Sequence, residues 1–100
     1  MTLTIGLLIF DRVEELDFVG PWEVFTMAQE SGADLRVVTI APIGGPGGGH
    51  VRCAKGLRVI ADHGFADAPK LDVLLVPGGE GTRPLAANDH VLNWIGATAA

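Results

Sequence analysis

One hundred residues carry 7 basic and 12 acidic side chains, a net charge of −5, 48% hydrophobic residues and a mean hydropathy of +0.35. That fits one small globular domain and excludes a disordered chain, a basic nucleic-acid face and, with no apolar run near the roughly 18 residues of a span, a membrane helix. The amino terminus has no basic leader or small-residue cleavage site, and the lone cysteine, Cys53, leaves no internal disulfide, so a cytoplasmic chain is expected.

The chain opens on LTIGLLIF, residues 3–10, a nearly continuous apolar run of the kind carried by a strand buried on both faces. An acidic connector, 11–17, leads to a helix whose first turn should hold Pro21, because a missing N–H costs nothing there. Val24, Phe25 and Ala28 predict its apolar stripe, and Gly32 its stop. LRVVTIA, 35–41, is rich in β-branched residues and reads as a second strand. A β-α-β opening with short connections is the signature of an α/β fold with a parallel sheet.

PIGGPGGGH, 42–50, reads as a flexible loop. Val51–Cys53 and Leu57–Ile60, joined by Ala54-Lys55-Gly56, predict a small hairpin. FADAPKL, 65–71, is a turn, and DVLLV, 72–76, a third buried strand closed sharply by PGGEGTRP, 77–84. Asn88 is placed to cap a last helix with Val91, Leu92, Ile95 and Ala99 on one face. No internal repeat is visible. Buried parallel strands call for helices on both faces, yet only two substantial helices are in view and no stop signal closes the last. Residues 1–100 are therefore expected to be the amino-terminal part of one longer domain.

Asp17 stands among apolar residues before Gly20-Pro21. It has a bland role, favouring the helix N-terminus, and a chemical one, a general acid or base at the carboxyl end of the first strand, where α/β sheets gather their sites. Glu14 and Glu15 read as solvated connector residues. PGGEGT after the third strand is either a tight turn or a backbone surface that aims an N–H at developing negative charge. A dinucleotide fingerprint fits it poorly, since Gly79 and Gly81 are followed by Pro84 where a third glycine belongs, and no Gly-Lys-Ser/Thr marks a phosphate loop. Cys53, in a short strand, reads as a small buried apolar residue rather than a nucleophile. His50, Cys53 and His63 do not make a compact zinc pattern, and His90 needs no special role, so neither metal nor cofactor is expected. Trp22 and Trp94 are amphipathic helix residues available to an interface.

Together, "IGLLIFDRVEELDFVGPWEVF", "GLRVIADHGFADAPKLDVLLVPGG" and their spacing resemble the ThiJ/PfpI family of the class I glutamine amidotransferase-like superfamily. The resemblance covers most of the chain outside the glycine-rich insert at 44–49, and LDxxGPxEVF with LxVPGG is its specific pattern. Within the family the chain is most similar to isonitrile hydratases, whose acid position is an aspartate like Asp17 rather than glutamate. The resemblance implies a flavodoxin-like three-layer α/β/α sandwich with a mostly parallel sheet, a homodimer, and a small-molecule electrophile as substrate. It implies a cysteine nucleophile on a strand-to-helix elbow that follows the next strand and lies beyond these residues. It gives Asp17 the role of the acid that hydrogen-bonds that thiol and shuttles protons, and Gly78 and Gly79 that of the backbone turn lining an oxyanion site. Cys53 does not match the nucleophile position, so this chain alone is expected to be inactive. Two alternatives stand beside the hydratase: the sensor domain of a transcription regulator with a carboxyl-terminal helix-turn-helix, and a stress-protective or deglycase-type member of the same fold.

Overall fold

The computed structural model describes residues 1–42, 49–79 and 82–99. In chain order its elements are β1 (Leu3–Leu8), α1 (Glu15–Glu30), β2 (Leu35–Ala41), β3 (His50–Arg52), β4 (Arg58–Ile60), β5 (His63–Gly64), β6 (Val73–Leu75), α2 (Thr82–Ala86) and α3 (Asp89–Ala99). The main sheet runs β5-β2-β1-β6 and every pair in it is parallel. β1 lies between β2, with Leu3 opposite Leu35 and Leu8 opposite Ile40, and β6, with Ile5 opposite Val73. The chain thus steps from β1 to β2 and β5 on one side and then crosses back past β1 to place β6 on the other, which is how a flavodoxin-like sheet begins. Its carboxyl ends face one rim, where such folds form their sites.

The apolar run at 3–10 behaves as its composition requires. Ile5, Leu7, Leu8, Ile9 and Phe10 are all buried, and Leu8, Ile9 and Phe10 join Phe18, Ala41, Val51, Cys53, Leu85 and Val91 in one core. β3 and β4 form the expected hairpin, antiparallel with Val51 opposite Val59. Asn88 caps α3, its Oδ1 accepting the Val91 N–H at 3.2 Å. α1 stops through a Schellman arrangement: the Ala33 N–H donates to Ala28, the Gly32 N–H to Gln29, and Gly32 takes φ +105°.

Two expectations need correction, and one strand was not foreseen. Pro21 is not in the first turn: α1 starts at Glu15, so Pro21 lies inside the helix. Its absent N–H leaves the Asp17 carbonyl without its intrahelical partner, and Gly20 just before it has no Cβ to crowd the ring. The inward stripe is accordingly buried Phe18 with partly buried Pro21, Phe25 and Ala28, while Val24 is 64% exposed. PGGEGTRP is not only a turn, because Thr82–Ala86 is helical. β5 had no signal in the sequence; His63 and Gly64 pair with Ile40 and Ala41, a contact that exists only once β2 is in place. Most of the glycine-rich loop, 43–48, and Gly81 of the weak dinucleotide pattern lie outside the described residues.

Among the described residues β6 pairs only with β1 and so forms a sheet edge. It carries the half-exposed Val73 and is flanked by two grooves, one of about 300 Å³ at Leu71, Leu74, Val76 and Ile95 and one of about 140 Å³ at Val76, Leu85, Leu92 and Ile95. An open parallel edge with apolar surface beside it is a template for association. The purified chain should bind a hydrophobic dye and self-associate in size-exclusion chromatography; a monomeric, dye-silent chain that unfolds cooperatively would contradict this account of the edge.

Candidate functional site

α1 begins after Glu14, which is extended at φ −71°, ψ 121° and makes no side-chain cap. The first turn instead carries Glu15 and Asp17, whose charges suit the positive end of a helix. Asp17, third in the helix, is exposed at the carboxyl rim of the sheet.

The segment leading to it, Asp11–Glu14, is held from two sides. On one side is the β3–β4 hairpin. The Arg12 N–H donates to the Arg52 carbonyl and the Ala54 N–H to the Val13 carbonyl, both at 2.8 Å, and Asp11 Oδ1 accepts the Arg52 N–H at 3.2 Å. On the other side is the Gly78-Gly79 turn that follows β6. The Glu14 N–H donates to the Gly78 carbonyl at 3.1 Å, and Val13 and Gly79 form an isolated antiparallel bridge. Arg12 enters the left-handed region, φ +67°, within this doubly held segment.

Both glycines are explained by these approaches. Gly79 has φ +134°, and a Cβ there would stand 2.5 Å from the Glu14 nitrogen and 2.7 Å from the Arg12 carbonyl oxygen. A Cβ on Gly78 would stand 3.2 Å from Asp17 Oδ2, so the carboxylate lies directly over that glycine. The structure therefore brings Asp17, Gly78 and Gly79 together on an open face. The peptide planes are fixed as well. The Gly78 carbonyl is taken by Glu14, so across the trans peptide the Gly79 N–H points away from the connector. The Gly79 carbonyl accepts the N–H of Thr82 at 3.0 Å and its hydroxyl at 2.6 Å.

Cys53 belongs to a different environment. It is 3% exposed, and burial pushes its thiol up, with the charges of Glu15 and Asp11 adding to the effect. A thiol held protonated is a poor nucleophile, in line with the apolar role read from the sequence. His50 is exposed on β3; His63 pairs with Asp67 at 3.2 Å; His90 lies beside Phe65, with ring centres 5.3 Å apart. No group of three or more His, Cys, Asp or Glu side chains suited to a metal ion occurs among the described residues. Trp22 is exposed on α1, whereas Trp94 stacks on Phe65 at 4.2 Å and is half-buried.

Glu14 and Glu15 are not the solvated residues expected of a polar connector. The Glu15 carboxylate accepts the Lys55 N–H at 2.9 and 3.1 Å and the Leu57 N–H at 3.3 Å, and the Lys55 ammonium pairs with Glu14. Burial alone would raise the Glu15 carboxyl, but the backbone N–H groups and Lys55 outweigh it and hold it below the usual value of 4.5. Hydrogen bonding to Glu14 raises Lys55, and the charges of Glu14, Glu15 and Asp17 raise it further. Nothing in the linear sequence ties residues 14–15 to 55–57; the link forms only when the hairpin docks.

Two outcomes follow from this geometry. Gly79→Ala should destabilise the chain by about 2 kcal/mol or more, because it combines positive φ with a backbone clash, and denaturant unfolding measures this. Because the Glu15 carboxyl is lower in the folded chain than in the unfolded one, its contribution to stability is present above the usual glutamate range and is lost as pH falls through the folded value. Glu15→Gln should therefore flatten the acid limb of a plot of unfolding midpoint against pH.

A family model described as the DJ-1/PfpI family matches residues 4–99. Isonitrile hydratase from Pseudomonas putida is 34% identical over 100 residues, covering all of this chain and 40% of the hydratase. The crystal structure of a ThiJ/PfpI family protein from Pseudomonas syringae superposes with a TM-score of 0.79 at 25% identity, over 95% of this chain and 37% of that one. An AraC family transcriptional regulator from Pseudomonas putida shares the fold, with a TM-score of 0.68 at 21% identity over 97% of this chain and 60% of that one. The chain thus spans less than two thirds of each of these proteins. With a matching family model over nearly its whole length and a relative 34% identical throughout, the chain belongs to the DJ-1/PfpI family.

Proposed function

We propose that the chain is the amino-terminal part of a cysteine-dependent, isonitrile hydratase-like lyase that works as a homodimer in the cytoplasm. The observation that carries the reading is the placement of the Asp17 carboxylate over Gly78, beside a Gly79 N–H turned away from the connector. This pairs a proton carrier with a backbone donor at the carboxyl rim of a parallel sheet. The similarity to isonitrile hydratase over all 100 residues supplies the substrate class, a small electrophile with a terminal carbon.

In this scheme the nucleophilic thiol comes from outside residues 1–100. Its sulfur bonds the isonitrile carbon while its proton passes through Asp17 to that same carbon, giving a thioimidate. Water then adds to the carbon, one of its protons reaches the nitrogen, and the carbon–sulfur bond breaks. The products are an N-substituted formamide and the free thiol. In this scheme the Gly79 N–H is the donor to the oxygen of the tetrahedral adduct. A second reading, a ligand-sensing domain of a transcription regulator, is supported by the fold shared with the AraC family protein.

In the longer protein that contains this chain, Asp17→Asn should lower kcat for a simple alkyl isonitrile by about 100-fold or more, the range for loss of a general acid or base. Residues 1–100 alone should form no formamide. Turnover by the isolated chain that vanishes on Cys53→Ala would sink the assignment, and an inactive longer protein that binds operator DNA would favour the regulator.

A further inference from the structure

Asp17 reaches Gly78 only if the first turn of α1 is correctly set, and that turn has no side-chain N-cap. What holds it is the hairpin. One carboxylate, that of Glu15, takes two N–H groups from the turn between β3 and β4, those of Lys55 and Leu57. The preceding residue, Glu14, pairs with the Lys55 ammonium through its side chain and donates its N–H to the Gly78 carbonyl. Two residues after Glu15 stands Asp17. The hairpin turn, Glu15, the first turn of α1 and the glycine turn are thus linked in sequence by direct bonds.

We propose that Glu15 is a positioning residue for the Asp17–Gly78 site, its carboxylate clamped to the hairpin turn so that the first turn of α1 is set against the glycine turn. This rests on the reading of Asp17 and Gly78 as the site and adds to it a residue that touches neither substrate nor nucleophile. The clamp depends on charge, because a carboxylate accepting N–H groups loses much of its hold when protonated. The charged and titratable groups around it are Lys55 from the hairpin turn, Cys53 at the end of β3, Glu14 and Asp11 from the connector, and Asp17 from α1 itself. Burial opposes the Glu15 charge, yet the N–H groups and Lys55 keep the carboxyl low, as a working clamp requires.

The test is a residue-resolved pH titration by NMR of the isotopically labelled longer protein that contains this chain, following the Glu15 side-chain carboxyl carbon and the backbone amides. The Lys55 and Leu57 amides should move with the Glu15 midpoint, and the Gly78, Gly79 and Asp17 amides should show a step at the same midpoint. Glu15→Gln, which keeps a carbonyl acceptor but no charge, should abolish that step. Asp17→Asn should leave it in place at Gly78 and Gly79, separating it from the titration of Asp17. If Gly78 and Gly79 follow only Asp17, or if the step survives in Glu15→Gln, the proposal is overturned. Should Glu15→Gln fail to fold, the titrations of the unsubstituted chain and of Asp17→Asn decide the matter. No substrate enters the experiment, so a surviving coupled step alongside an absence of formamide turnover by the longer protein that contains this chain would refute the catalytic reading and leave the clamp intact.

Discussion

The backbone of Asp11–Glu14 is wedged between two stretches far from it in sequence, and the placement of Asp17 over Gly78 depends on that wedge. Arg12 and Val13 bond to residues 52 and 54, while Glu14 bonds to Gly78. Each bond alone contributes about 1 kcal/mol, but together they fix the direction in which the chain leaves β1 and enters α1. Gly79 admits the wedge, since any side chain there would collide with backbone rather than with a movable side chain. Arg12 in the left-handed region is the conformational cost of the same geometry.

The electrostatics follow from the wedge. Three acids, Glu14, Glu15 and Asp17, crowd the start of one helix, an arrangement that would repel itself in an isolated peptide. Here the helix N-terminus, the hairpin N–H groups and Lys55 offset the repulsion. Each acid then has a distinct environment: Glu14 is paired with an ammonium, Glu15 is engaged by backbone, and Asp17 lies open over Gly78. Burial, with the charges of Glu15 and Asp11 added to it, pushes the Cys53 thiol up.

Packing elsewhere is uneven. The core is dense around β1 and the hairpin, where Leu8, Ile9, Val13 and Val51 are fully enclosed. It thins towards β6 and α3, whose Val73, Val76 and Leu92 remain open. α1 likewise buries Phe18 while leaving Leu16, Val24 and Met27 in the open. Apolar side chains open at these positions are surface of the kind that favours association.

The parallel sheet, the hairpin, the α3 cap at Asn88 and the α1 stop at Gly32 were legible in the sequence, because each rests on local signals: apolar runs, turn residues and capping side chains. The same holds for Asp17, Gly78 and Gly79 as candidates. The strand order was not legible, because it is a matter of which strands pair. The placement of Pro21 and Val24 was misread because the helix starts earlier than its proline implies, in a first turn held by the hairpin instead of a local cap. β5 and the clamp of Glu14 and Glu15 left no local trace at all. Sequence by itself determined which residues carry chemical potential and which strands lie inside, since burial and backbone freedom are written residue by residue. Tertiary structure alone decided which carboxylate faces the glycine turn and which is spent on the hairpin, because those bonds join positions some 40 to 60 residues apart, where no local pattern reaches.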